Sequence, residues 1–249
     1  MINGKQIRLK KLLPNGRAAF LALDHGFSMG PIKGLEDLDS VLSKLRDSDI
    51  NGLIINYGAL KNLNIESLGN CRIPIIVHLS GSGLGENAKE KFAIYSVTDA
   101  LRMGADAVSL QINFNTKNES EQIVDAAKII GQADDMGMPV LLMMYNKGTD
   151  ENDRKLVDIV RLGIELGADI IKVDIGGDLS LLQRISKNSR IPILVAGGGL
   201  KDSETLKQSL NDYLKHGAAG VSIGRNIFQS EDPKLLMSTV CKFINGYEK

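Results

Sequence analysis

The stretch Gly167-Ala168-Asp169-Ile170-Ile171-Lys172-Val173-Asp174-Ile175 decides how the rest of the chain is read. Glycine at its start tolerates the left-handed conformation that closes a helix. The residues after it form a short, β-branched, almost continuous apolar run, the pattern of a parallel strand covered on both faces. Lys172 interrupts that run. Burying an ammonium is costly, and burial by itself lowers its pKa toward the neutral amine. A neutral amine is the nucleophile that forms a Schiff base with a ketone or aldehyde. The structural alternative is a lysine that snorkels to the strand end and pairs with a carboxylate such as Asp174.

The same junction recurs along the chain. Gly104-Ala105-Asp106, Gly137-Met138-Pro139 and Gly217-Ala218-Ala219 each end a helical pattern and open an apolar run. Eight strands are predicted: Ala18–Asp24, Gly52–Asn56, Pro74–Ser80, Asp106–Ile112, Pro139–Tyr145, Asp169–Asp174, Pro192–Ala196 and Ala219–Ile223. Helical spacing of apolar residues predicts helices over Glu119–Met136 and Asp150–Leu166, with a short, broken pattern over Gly58–Leu68. Eight alternations predict an α/β chain folded as a single (β/α)₈ TIM barrel. An open doubly wound sheet would normally carry a glycine loop after its first strand; here the first strand ends in Leu23-Asp24-His25-Gly26 and the glycine runs come last. Residues 1–249 read as one domain, with 1–17 a lead-in that covers the barrel bottom or packs on a neighbour.

Composition narrows the function. Thirty basic residues balance thirty acidic ones, which argues against a nucleic-acid or membrane-surface role driven by bulk charge. No apolar stretch approaches twenty residues and the start lacks a signal-like core, so a cytoplasmic protein without a membrane span is expected. Cys71 and Cys241 are far apart and read as structural thiols. His25, His78 and His216 show no zinc-site spacing, so neither a metal nor a cofactor is expected.

In a barrel the chemistry belongs where strands end. Those positions carry Asp24 and His25, His78 and Ser80, Tyr145, and Lys172 with Asp174. Alternation puts Lys172 and Asp174 on one face, so both are expected to point inward. Tyr145, one strand over, can reach Lys172, and Asp24 overlooks the same cavity. The last two strands run into Gly197-Gly198-Gly199 and Gly224-Arg225-Asn226. Glycine lets backbone N–H groups approach an anion, a short helix start adds its dipole, and Arg225 adds a fork of donors, so these loops suit phosphate better than tight turns alone. Asp24 as a loop cap, His25 as a backbone partner, His216 as a helix-end charge, and Met143 and Met144 as core are the plainer readings. A lysine, a tyrosine and an aspartate beside a phosphate pocket follow class I aldolase logic: the iminium is the electron sink and the other two groups move protons.

These residues resemble the archaeal-type class I fructose-bisphosphate aldolases over essentially the whole chain. The likeness rests on Leu23-Asp24-His25-Gly26, Met144-Tyr145, Lys172, Gly197-Gly198 and Gly224-Arg225-Asn226-Ile227-Phe228-Gln229. It implies a Schiff-base lysine at Lys172, a proton-transferring Tyr145, an assisting Asp24, phosphate at the last two loops, and a homo-oligomer, a decamer in the family. Gly30-Pro31-Ile32-Lys33-Gly34, Ile76-Val77-His78-Leu79-Ser80 and Leu142-Met143-Met144-Tyr145 resemble more closely the branch of 2-amino-3,7-dideoxy-D-threo-hept-6-ulosonate synthases. That branch implies a phosphorylated ketose-type donor and an amino-acid semialdehyde acceptor. His78, His25 and Asp174 are the candidate substrate-binding residues at the strand ends, with Asp174 open to two readings, a partner for the ammonium of an amino-acid aldehyde or a structural partner of Lys147. The chain departs from the family at Asn146-Lys147, where Pro-Arg is usual, at Asp174-Ile175, and at Gly199, where proline is common. The departures surround the lysine and the mouth, so they bear on the substrate and leave the reaction type intact. Reversible fructose-bisphosphate cleavage, a thiolase-like acyl transfer on a phosphorylated ketone, and a barrel retained only as a scaffold are the competing readings. The joint presence of Lys172, Tyr145 and Asp24 speaks against the last.

Overall fold

The structure, a computed structural model, describes residues 4–69, 73–83, 89–149 and 155–247. Eight parallel strands close into a barrel in which each pairs with its neighbour in sequence and the last returns to the first. They are β1 (Ala18–Ala22), β2 (Gly52–Asn56), β3 (Ile75–His78), β4 (Ala107–Phe114), β5 (Val140–Asn146), β6 (Ile170–Val173), β7 (Ile193–Ala196) and β8 (Gly220–Ile223). The single (β/α)₈ barrel is therefore observed, with strand limits shifted by one to two residues. The sheet seam joins β1 to β8 through Ala18↔Gly220 and Leu21↔Ile223.

Strand alternation sorts the apolar residues into two cores. Phe20, Ile54, Ile76, Leu141, Ile170 and Leu194 point inward and fill the barrel. Val77, Val108, Leu142, Ile171, Val195 and Val221 point outward and pack against the helices. Each such side chain contributes roughly 1.5–3 kcal/mol when fully buried. The helices match their patterns where they can be followed. Glu119–Asp135 is continuous, and Leu156–Leu166 ends at Gly167 with φ 95°. The predicted start of that second helix at Asp150 lies outside the described residues, as does Cys71. The broken pattern after β2 is a short helix, Tyr57–Lys61, followed by a 3₁₀ turn, Ile65–Leu68. Beyond β3 the chain adds a two-stranded antiparallel hairpin, Ser80–Gly81 with Phe92–Ala93, that the sequence pattern does not announce.

The lead-in forms the helix Gly4–Leu12 and plugs the bottom of the barrel. Leu9, Leu12 and Leu13 pack into the inner core. Lys5 bridges Asp134 and Asp169, Arg8 donates to the Gly137 carbonyl, and Lys11 reaches Asp106. Asp106 and Asp169, the acids of the Gly-Ala-Asp junctions, also accept the first strand N–H groups next door, Ile75 N at 3.1 Å and Val140 N at 2.8 Å. Asn51 does the same for Ala19 N at 2.8 Å. This rim closes the end of the barrel away from the strand C-termini and leaves the other end for a site. Cys241 is a buried thiol, its pKa pushed up to about 12 by burial. His216 caps the helix Ser203–Lys215, its Nδ1 2.7 Å from the Asp212 carbonyl. No helix among the described residues is long and apolar enough to cross a membrane.

Candidate active site

Two residues along from the apolar plug the barrel interior turns polar. Asp24 follows β1, Asn56 ends β2, His78 ends β3, and Ser109, Lys172 and Ser222 lie on β4, β6 and β8. All six continue the inward-facing alternation. Lys172 is 5% exposed. Its register partner on β5 is Met143, whose Sδ lies 3.9 Å from Nζ. Met144, the next residue, faces the helix layer instead and sits against Gly163. Tyr145 therefore returns to the inner face, packed against the inner core, where it helps raise the pKa of Lys172. The three residues singled out from the sequence thus converge at the strand C-termini.

The charge state of Lys172 differs from the expectation of a depressed pKa. Burial does pull it down, but the Tyr145 oxygen and the Asp24 carboxylate pull it up further, and the net direction is upward. Lys172 rests as an ammonium. Asp24 is its counterpart: burial would raise the carboxyl, yet the charge of Lys172 holds its pKa below the usual value. His78 Nδ1 meets the Ser109 hydroxyl at 2.9 Å, and burial drives its pKa down to about 4, so the imidazole is neutral. His25 is also held neutral by burial, against the pull of Asp24. Its ring stands edge-on to Phe228 at 5.5 Å. Buried atoms without a protein partner gather here: among the described residues Asn56 Oδ1, Ser222 Oγ and His25 Nδ1 are three of them. Such atoms mark where a ligand or water belongs.

Asp174 does not share the inner face with Lys172 as alternation predicts. The strand ends at Val173, and the exposed carboxylate turns onto its own loop, accepting from Gly176 N at 3.0 Å. Lys147 feels its charge and stacks over the Tyr145 ring at 5.0 Å. This places Asp174 at the outer lip.

The two glycine loops form one cradle. Gly198 adopts φ 67°, a backbone conformation that favours glycine. The loop's carbonyls are engaged from behind: Arg225 Nη2 donates to Gly198 O at 3.0 Å, and Asn226 Nδ2 to Gly197 O at 3.2 Å and Gly199 O at 2.9 Å. The N–H groups of Gly198 and Gly199 are left without a protein acceptor among the described residues. The helix Arg225–Phe228 begins beside them, and the first N–H groups of a helix have no partner within it. Gly224 admits no side chain, because a Cβ there would stand 2.5 Å from both the Ala22 carbonyl and His25. His25 thus belongs to the wall of this cradle. The arrangement can take an anion, with Arg225 both fixing the loop and supplying charge.

One buried group escaped the sequence analysis. Lys91, entering the second hairpin strand, is 4% exposed and donates to Ser28 Oγ at 2.7 Å and Ser82 Oγ at 3.0 Å. It senses Asp24 and is in turn sensed by His78. No pattern around Lys91 marks it, since the hairpin that carries it is two residues wide on each side. Among the described residues no three His, Cys, Asp or Glu side chains converge as a metal site would require.

Known proteins resemble this chain in sequence and in architecture. A family model described as DeoC/LacD family aldolase matches residues 18–230. The 2-amino-3,7-dideoxy-D-threo-hept-6-ulosonate synthase 1 of Archaeoglobus fulgidus is 35% identical over 98% of this chain and 92% of its own length. The 2-amino-4,5-dihydroxy-6-oxo-7-(phosphonooxy)heptanoate synthase of Streptomyces griseus is 32% identical over 97% of this chain and 90% of its own. A solved structure of the Schiff-base-forming fructose-1,6-bisphosphate aldolase superposes with a TM-score of 0.83 at 25% identity, covering 97% of this chain and 100% of that one.

Proposed function

From the premise that this chain belongs to the DeoC/LacD aldolase family and is a class I aldolase, we propose that it joins a phosphorylated ketone or ketose-type donor to an amino-acid semialdehyde through an iminium on Lys172. The observation that carries the reading is the buried ammonium of Lys172 between Tyr145 and Asp24 at the strand C-termini. The relatives' names support the substrates. Both describe seven-carbon amino acids with a ketone at C6, and the Streptomyces enzyme's name puts a phosphate on C7. A three-carbon ketone fragment and a four-carbon amino-acid aldehyde account for that skeleton.

The chemistry runs on the chain's own groups. The substrate phosphate sits against Gly198, Gly199 and Arg225, which brings the adjacent carbonyl over Lys172. The ammonium first gives up its proton, and the dianionic substrate or the Asp24 carboxylate is the available acceptor. The freed amine adds to the carbonyl carbon to give a carbinolamine. Tyr145, within reach of Nζ, protonates the departing hydroxyl, water leaves, and an iminium forms. Loss of a proton from the neighbouring carbon gives an enamine. The enamine carbon attacks the aldehyde carbon, and the new alkoxide takes a proton. Water then adds back to the iminium and releases the ketone product and Lys172. Neutral His78, oriented by Ser109, is a hydrogen-bonding wall for the bound polyol.

Borohydride reduction in the presence of dihydroxyacetone phosphate tests this reading, with intact mass as the readout. Wild type should gain the mass of the reduced adduct at Lys172. Lys172→Ala should gain none and lose about 10³-fold or more in rate. An adduct that persists in Lys172→Ala overturns the assignment of the nucleophile. Efficient fructose 1,6-bisphosphate cleavage with no use of aspartate semialdehyde overturns the choice of acceptor.

A further inference from the structure

Lys91 poses a problem that the proposed reaction leaves open. A buried ammonium normally stands against a carboxylate, because neutral partners do not compensate its lost hydration. Here its partners are two serine hydroxyls, and among the described residues no carboxylate lies within ion-pair distance. The position is not slack. The Lys91 carbonyl accepts from Asn118 Nδ2 at 2.9 Å, and that of Lys89 accepts from Asn113 Nδ2 at 2.7 Å, so the segment is tied to β4 and the start of the next helix. The ammonium has three N–H groups and two are used. Ser28 and Ser82, which lie 3.4 Å apart, both accept from it, so at least one hydroxyl hydrogen is left to donate elsewhere. An N–H and an O–H side by side match the two oxygens of one carboxylate.

The location adds a direction. Lys91 enters the hairpin that follows β3 and reaches Ser28 in the loop after β1, whereas the glycine cradle follows β7 and β8. The Asp24 carboxylate acts on Lys172 and on Lys91 alike, so the two ammonium groups share one counter-charge. A substrate with its phosphate in the cradle and its carbonyl carbon on Lys172 would extend past Asp24 toward Lys91. We infer that Lys91, Ser28 and Ser82 form a carboxylate subsite that receives the acid group of the four-carbon amino-acid aldehyde. This rests on the proposed acceptor. The same donors would also attract a second phosphate, as on a sugar bisphosphate, so the test separates the two anions.

L-Homoserine, the unreactive alcohol of the aldehyde, is titrated by calorimetry into wild type, Lys91→Met and Ser82→Ala, alongside L-homoserine amide and glycerol 3-phosphate. Wild type should bind homoserine. Lys91→Met should weaken it about tenfold or more, and Ser82→Ala by a smaller factor, on the scale of charge-assisted hydrogen bonds. The amide should bind weakly to all three proteins, and glycerol 3-phosphate, held by the glycine cradle, should not distinguish them. Homoserine binding that ignores both substitutions, or is absent from wild type, overturns the subsite. Glycerol 3-phosphate weakened as much as homoserine overturns the choice of a carboxylate over a phosphate. Lys91→Met exchanges a buried charge for an apolar chain of similar length, and Ser82→Ala serves should it not fold. None of these titrations requires an iminium. Failure of borohydride trapping with Lys91-dependent binding intact would therefore sink the aldolase reading alone.

Discussion

Lys172 needs a lone pair to attack a carbonyl, while Asp24 and Tyr145 keep its proton in place. Attack therefore begins with a proton transfer from Lys172, to the Asp24 carboxylate or to a dianionic substrate. Tyr145 has its effect on the later proton transfers: Tyr145→Phe should still be trapped by borohydride but turn over about 10²–10⁴-fold more slowly. Unchanged single-turnover rates would reduce Tyr145 to a pocket wall. Lys91 shows the opposite balance. Burial lowers its pKa to about 8, Asp24 opposes that and Lys147 adds to it, while His78 nearby stays neutral. Homoserine binding should then weaken as pH rises through about 8, because the ammonium loses its charge while the ligand's carboxylate keeps its own. Calorimetry from about pH 6.5 to about pH 9.5 measures this, and a flat profile removes Lys91 from the binding step. Neither charge state was legible in the sequence. Lys172 in isolation reads as a depressed amine, and only the fold brings in a carboxylate from β1 and a phenol from β5. Lys91 reads as an ordinary loop lysine until the hairpin folds over it.

At the scale of elements, the strands were legible because each opens on a stop signal, glycine or proline, and continues with an apolar run. The ends were less so. Asp24 and Asp174 were read as the last residues of strands that stop at Ala22 and Val173. For Asp174 the difference changes the face, since a carboxylate beyond the ladder closes a local turn with Gly176 instead of continuing the alternation. The hairpin left no signal because its strands are too short to show a period, and Phe92 on it is exposed. The glycine runs after the last two strands were legible as loops, but Gly197, counted among the anion donors, has its N–H bonded to the Ser222 carbonyl at 3.0 Å, and the tightest point is Gly224. Gly224→Ala drives a methyl group into the Ala22 carbonyl and His25, and overpacking of this kind costs about 1–3 kcal/mol. The expected outcome is a lower Tm together with loss of glycerol 3-phosphate affinity. Gly58→Ala, where a Cβ meets nothing within 4 Å, should change neither. Full phosphate affinity in Gly224→Ala would detach that loop from the site.

For the molecule as a whole, stability and chemistry occupy opposite ends of the barrel. The Gly4–Leu12 helix, its lysines and the aspartates of the strand starts secure the bottom, while every proposed active-site group stands at the top. Leu12→Ala should accordingly lower stability by about 2–5 kcal/mol in urea unfolding, yet leave the borohydride adduct per folded molecule unchanged. Loss of trapping in protein that remains folded would show that the two ends are coupled. The seam between β1 and β8 bears on the same separation. Every other strand pair joins sequence neighbours, but this one joins residues near opposite ends of the chain, and just outside it the Arg17 guanidinium donates to the Tyr247 carbonyl and lies 4.9 Å from the Tyr247 ring. The barrel thus forms a ring whose first and last turns already touch. A covalent link across that junction, with the chain reopened in a bottom-face loop between two other units, should yield a circular permutant with the same active face, so the strand now counted as first holds its place by history and not by geometry.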